Sequence, residues 1–143
     1  MSKRDIEFYI VDILIAHNKI ERYISKFNNP QDFLHSELEW DATIRQLEII
    51  GEATKFLIRN NTLNESYKTI VNFRNHINHE YFGIDENIVW DVVTNLLENF
   101  IYNLRQTVKE NKINLKEVIK YAKIDYKNNR KIIEFLQNLE DTF

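Results

Sequence analysis

No cysteine occurs anywhere in the chain, which excludes a disulfide framework, a thiolate nucleophile and a cysteine-ligated zinc. One proline and two glycines leave few helix breakers, so long helices with short connections are expected. No apolar run approaches the roughly 18 residues that a membrane span needs. Asp5, Glu7 and Asp12 interrupt the N-terminal stretch, which therefore does not read as a signal peptide. The expectation is a soluble, cytoplasmic protein without a membrane partner. An excess of one charge is missing too: 19 Lys/Arg stand against 22 Asp/Glu, a net charge of −3. Any contact with nucleic acid must then come from a local patch, not from bulk charge.

What is present is apolar periodicity. Hydrophobic residues make up 43% of 143 residues, enough for one domain with its own core. From about Asp5 to Phe27, Ile6, Ile10, Ile13/Leu14, His17, Ile20 and Ile24 recur at three- and four-residue spacing and predict one helix. Asn28-Asn29-Pro30 ends it, and Gln31 to Leu38 reads as a connection with room for one turn. A second helix is expected over about Ser36 to Asn60, through Ile44, Leu47, Ile50/Gly51, Thr54 and Leu57/Ile58. A third runs from about Glu65 to Phe82 and stops at Gly83, a residue suited to the left-handed position after a helix. Asp85 caps a fourth, whose apolar pairs run from Ile88/Val89 to Leu104 and on to about Val108.

The last third has a different character. Asn114 with Glu117 opens a short helix through Ala122, and Lys127 to Leu139 sets Ile132/Ile133, Phe135/Leu136 and Leu139 on one side. Residues 109–143 carry eight Lys/Arg against six Asp/Glu, a balance of +2, whereas residues 1–108 carry eleven against sixteen, or −5. Lys116, Lys120, Lys123, Lys127, Arg130 and Lys131 form either a track for a phosphate backbone or an ordinary solvated face. No strand-like alternation is present. The expected architecture is all-α: an antiparallel four-helix bundle over 1–108 with a helical C-terminal extension, 109–143, packed on the same domain.

Chemistry concentrates in Arg74-Asn75-His76-Ile77-Asn78-His79-Glu80-Tyr81. With 100° per helical residue, Ile70, Phe73 and Ile77 fall within an arc of about 60° that should face the core. Arg74 and Asn78 are one turn apart beside that arc, and Asn75 and His79 share a face turned away from it. A guanidinium binds phosphate as a fork, and a histidine of ordinary pKa moves a proton near neutrality. Together they can support phosphodiester cleavage without a metal, with the ribose 2′-hydroxyl as nucleophile. One histidine rarely serves as both acid and base, so a two-fold dimer would supply a second copy. Plainer readings stand beside this one. Arg74 can be a surface ion pair with Glu80 or a carboxylate of the second helix, and Tyr81 a half-buried core aromatic. His76, His79 and Glu80 lack a convincing third metal ligand. His17 reads as a satisfied core histidine and His35 as a loop residue. Arg45, Glu48 and Glu52 are neighbours on the second helix; they can orient Arg74 or form a surface charge ladder.

The segment Arg74-Asn75-x-x-x-His79-x-Tyr81, followed by Phe82-Gly83, resembles the R-x4-H-x-Y signature of HepT-like toxins in the HEPN superfamily. Asp41-Ala42-Thr43-Ile44-Arg45-Gln46-Leu47-Glu48-Ile49-Ile50-Gly51-Glu52-Ala53 resembles the D-A-x-x-R-x-L-E-x-I-G-E-A helix of the same family, and Asp12-Ile13-Leu14 and Ile20-Glu21-Arg22-Tyr23 also fit. The resemblance covers about residues 4–105. It implies a HEPN-type helical bundle, a homodimer, and the toxin of a type II toxin–antitoxin system: a metal-independent endoribonuclease acting on tRNA or mRNA. Arg74 and His79 would be catalytic, with Asn75 and Asn78 supporting a polar groove at the dimer. Tyr81 would accept AMP from an antitoxin of the MNT nucleotidyltransferase type, which uses ATP, while the toxin itself needs no cofactor. The alternative is a non-catalytic helical subunit that binds nucleotide or the transferase through the same band. Two features depart from the family pattern: the short connection from Asn60 to Ser66, and the tail beyond about Arg105.

Overall fold

The structure, a computed structural model, describes residues 3–79 and 83–143; the side chains at 3, 4, 74 and 76–79 also lie outside that description. Helix α1 spans Lys3–Ile24. Its apolar stripe is fully buried at Ile10, Ile13, Leu14 and Ile20, as the spacing predicts. Helix α3, Glu37–Arg59, packs along α1 through Leu47, Ile50, Ala53 and Leu57. Between them lies α2, Pro30–His35, where the sequence suggests a connection. The reason is local. Asn29 Oδ1 accepts from the Asp32 backbone N–H at 2.9 Å, and Pro30 occupies the first turn, where its missing N–H costs nothing. His35 therefore ends a helix rather than sitting in a loop.

Helix α2 supplies Phe33, which is fully buried at the centre of an aromatic cluster. Trp40 meets it edge-on at 5.0 Å, Phe27 lies at 5.5 Å and Trp90 at 5.9 Å. These rings tie the connection after α1 to α2, α3 and the helix after the motif.

The turn after α3 is tight. Asn61 adopts a left-handed backbone with φ of 61°, a conformation asparagine tolerates. Thr62 and Leu63 N–H groups both donate to the Leu57 carbonyl, at 2.9 and 3.1 Å. Asn64 then caps a 3₁₀ turn, Glu65–Tyr67, by accepting from the Ser66 N–H at 2.7 Å. That turn leads into α4, Lys68–His79, which packs on α3. The short connection is thus braced by hydrogen bonds and by Tyr67, whose ring meets Phe100 edge-on at 5.6 Å.

Asp85 accepts from the Asn87 N–H at 2.8 Å and starts α5, Glu86–Asp91, as the sequence indicates. Helix α5 passes through a π-helical turn, Val92–Leu96, into α6, Leu97–Glu110. The wide turn is unexpected from the sequence. Thr94 Oγ1 donates to the Trp90 carbonyl at 2.6 Å beside it. Helices α1, α3, α4 and α5–α6 form the bundle.

Helices α7, Lys116–Asp125, and α8, Arg130–Thr142, pack on each other and on α1. Asn114 accepts from the Lys116 N–H at 3.0 Å, and Asn129 from the Ile132 N–H at 3.2 Å, so both starts are capped. Val118, Ile119, Ile132, Leu136 and Leu139 join the same buried cluster as the bundle. At the far end of α7, Lys19 on α1 donates to the Tyr126 hydroxyl at 3.2 Å. Among the described residues there is no strand, and no helix is long and apolar enough to cross a membrane.

Candidate active site

Positions 74, 75, 78 and 79 fall on one unbroken helix, the C-terminal half of α4. Helix geometry separates 74 from 79 by about 7.5 Å along the axis and about 140° around it. Positions 74 and 78, and likewise 75 and 79, stand one turn apart. Asn75 and Asn72 are exposed, as expected of the side away from α3. On the other side Ile70 and Val71 are buried and Phe73 packs against the core. Val71 makes the buried arc of α4 wider than the stripe of Ile70, Phe73 and Ile77 read from the sequence. The side chains of Arg74, His76, Asn78 and His79, and the whole of Glu80, Tyr81 and Phe82, lie outside the described residues, as does the helix stop before Gly83.

Two devices hold the motif helix in place. Upstream, the Asn64 cap and the Tyr67–Phe100 contact fix where α4 begins. Downstream, Asp85 caps α5, Val89 is fully buried, and Trp90 reaches the Phe33 cluster. The aromatic cluster was missed in the sequence because its hub, Phe33, sits in a stretch read as a connection.

Arg45, Glu48 and Glu52 lie together, in a cleft of about 270 Å³ walled by Tyr9 and Asp12 of α1. Arg45 faces Glu48 at 3.9 Å and is well exposed, which makes that pair a weak surface interaction. The described walls of the cleft come from α1 and α3. Burial raises the Asp12 carboxyl above its ordinary pKa, with Lys19 opposing.

His17 is buried at 9% exposure, in line with a core histidine, but it is only half satisfied. Nδ1 lies 3.3 Å from Glu21 Oε1, while Nε2 is buried without a hydrogen-bond partner. Burial, aided by Arg105 and opposed by Glu98, holds its pKa down at about 4. Glu21 is pushed up by its own burial and by Glu98, with Arg105 opposing. Among the described residues no group of His, Asp and Glu converges as a metal site; His76, His79 and Glu80 are not covered by that statement.

Two of the six residues in the tail's basic row are paired. Lys123 contacts Gln137 at 2.8 Å and Glu140 at 2.6 Å, and Arg130 pairs with Glu134 at 3.1 Å. The solvated-face reading fits these two residues.

An all-α bundle with Arg74 and His79 on one helix agrees with the HEPN-type bundle that the sequence resemblance implies. The sequence profile of the family Ribonuclease HepT-like matches residues 13–108, so the chain belongs to the HepT-like ribonuclease family. A putative RNase of Methanocaldococcus jannaschii is 36% identical over 96 residues, covering 65% of this chain and 87% of the relative. A second putative RNase of that organism is 33% identical over 113 residues, covering 77% and 93%. A probable ribonuclease HepT of Thermococcus cleftensis is 33% identical over 94 residues, covering 64% and 84%. No solved structure matches the chain.

Proposed function

We propose that the chain is an endoribonuclease toxin acting as a homodimer, with Arg74 and His79 as its catalytic residues and Asn75 and Asn78 lining the groove. The observation that carries this reading is their common placement on α4 in a chain of the HepT-like ribonuclease family. In the proposed step His79 takes the proton of a ribose 2′-hydroxyl. The 2′-oxygen bonds to phosphorus, the bond to the 5′-oxygen breaks, and the leaving oxygen is protonated by the second copy of the motif across the dimer. Arg74 stabilises the charge that builds on the phosphoryl oxygens. The products carry a 2′,3′-cyclic phosphate and a 5′-hydroxyl, and DNA, lacking the nucleophile, is spared. No metal takes part in this scheme.

Control falls on Tyr81. An antitoxin of the nucleotidyltransferase type joins the Tyr81 phenol oxygen to the α-phosphorus of ATP, and pyrophosphate leaves. Two residues beyond His79, an attached AMP fills the phosphate site and repels RNA by its charge. The test is cleavage of tRNA and mRNA in EDTA by protein shown by intact mass to be unmodified, beside Arg74→Ala and His79→Ala. Cleavage by the wild type alone supports the assignment. Folded, unmodified wild type that cuts neither RNA refutes it.

A further inference from the structure

Outside the motif helix, a concave site of one-sided charge lies where α6 hands over to α7. A pocket of about 450 Å³ is lined there by Lys109, Lys112 and Lys116, with Asn114, Thr142 and Phe143 among the remaining walls. Among the described residues, no Asp or Glu side chain lines it. In a chain of net charge −3, three lysines around one hollow with no Asp or Glu side chain among its described walls are a departure from the average surface. Among the described residues, no carboxylate pairs with any of the three, in contrast to Lys123 and Arg130 of the same tail.

The geometry gathers these lysines from three different local structures. Lys109 lies in the last turn of α6, Lys112 in the turn, and Lys116 at the first residue of α7. Lys112 takes a left-handed backbone with φ of 52°, which turns the chain sharply enough to bring Lys116 back beside Lys109. Lys109 stands 5.9 Å from the Phe143 ring centre, so α8 backs the hollow. The positive end of the ten-residue α7 opens onto the same space.

We propose that this pocket binds backbone phosphates of the RNA strand, as an anchoring site remote from the cleavage motif. A strand fits better than a free nucleotide because of where the pocket lies. Asn61 and Thr62, in the turn before α4, share a cleft with Asn111 and Ile113, so the pocket sits at the bundle end where α4 begins. The motif occupies the other half of α4, up to about 17 Å further along the axis at 1.5 Å per residue. A single strand spanning several nucleotides covers that interval, and lysine ammonium groups hold its phosphates without reading sequence. The proposal rests on the ribonuclease reading for the identity of its ligand, and its test does not depend on cleavage.

The experiment measures fluorescence-anisotropy binding of a labelled single-stranded RNA of about a dozen nucleotides across a salt series. Three proteins are compared: wild type, the triple variant Lys109→Gln/Lys112→Gln/Lys116→Gln, and a control triple, Lys120→Gln/Lys127→Gln/Lys131→Gln. The control removes the same charge from exposed residues outside the pocket. Three released phosphates at about 0.7 each lower the slope of log K against log salt by about 2, with a loss of about tenfold or more in affinity at physiological salt. That loss in the pocket triple and its absence in the control support the site. Lysine-to-arginine replacement at the three positions should restore binding, which separates lost charge from lost structure. Equal losses in both triples, unchanged binding in the pocket triple, or no binding by wild type overturns the proposal. Competition by inorganic phosphate at the concentration of RNA phosphate that competes makes it a free-anion site and also overturns it. Cleavage is scored separately. A wild type that cuts RNA while the pocket triple binds normally loses the pocket and keeps the nuclease. A wild type that binds through the pocket yet cuts nothing does the reverse.

Discussion

Acid should weaken this fold in good part through one buried residue, His17. In the folded state its Nδ1 faces Glu21, so the neutral ring carries its proton there and Nε2 is bare. Protonation would place an N–H on Nε2, a buried atom with no acceptor. Burial first, and Arg105 second, oppose the charge, and together they lower the pKa from 6.5 to about 4 despite Glu98. An unfolded chain takes up this proton below about pH 6.5, whereas the folded chain refuses it until about pH 4, so stability must fall as the pH drops through that window. Each unit is about 1.36 kcal/mol, which puts the full loss near 3 kcal/mol, and most of it is reached by about pH 4.5. Against a domain stability of roughly 5–15 kcal/mol this is a large share. Asp12 and Glu21 work the other way, because their raised values favour the folded state on acidification. The comparison with His17→Gln cancels most of that background. Urea unfolding followed by circular dichroism, at about pH 7.5 and about pH 4.5, should show the wild type losing about 2.5 kcal/mol more than the variant. Parallel losses in the two proteins would show that His17 is not held neutral and refute the reasoning.

Three other expectations are open to direct measurement. Arg74→Ala and His79→Ala should each reduce RNA cleavage by about 100-fold or more while the helical circular-dichroism signal stays intact; a collapse of that signal would make the residue structural. Tyr81→Phe should keep nuclease activity and gain no AMP when incubated with the cognate nucleotidyltransferase and ATP; an intact-mass increase of one AMP would move the modification to another residue. Phe33→Ala should cost about 3–5 kcal/mol in denaturant unfolding, because a fully buried ring at the hub of three aromatic contacts is lost. A loss below about 1 kcal/mol would mean that the cluster collapses to refill the site.

Long helices were legible because their apolar stripes repeat over many turns. Helix α3 was expected from about Ser36 to Asn60 and runs Glu37–Arg59, since asparagine turns and an apolar period define both ends. Short elements were not. Helix α2 has a clear start in Asn29-Pro30, but six residues show less than two turns of periodicity, and a proline after a long helix equally marks an ending. The apolar stripe places His17 in the core, yet the Arg105 and Glu98 charges that act on it come from α6 and no local spacing encodes them. The motif stands out as candidate chemistry in the sequence because positions 74, 75, 78 and 79 lie within a few residues of one another. The lysine pocket does not, for the opposite reason: Lys109, Lys112 and Lys116 converge only through the left-handed turn at Lys112. The basic row read from the tail instead proved partly neutralised by Glu134 and Glu140.

The π-helical turn at Val92–Leu96 has a consequence for how this helix tolerates change in length. Val89 and Val108 are both buried, and 108 − 89 leaves 19 residues between equivalent core positions. Five turns of α-helix consume about 18. The wide turn holds the surplus residue, so the core faces before and after it stay aligned. A one-residue deletion of exposed Asn95 should therefore close the turn into ordinary α-helix and leave Leu97, Phe100, Ile101 and Leu104 facing inward. The same deletion at exposed Asn103 would instead swing the last core residue, Val108, by about 100° toward solvent. Insertions and deletions along this helix are thus unequal, and the slot that absorbs one lies at the end of α5, the short helix that Asp85 caps.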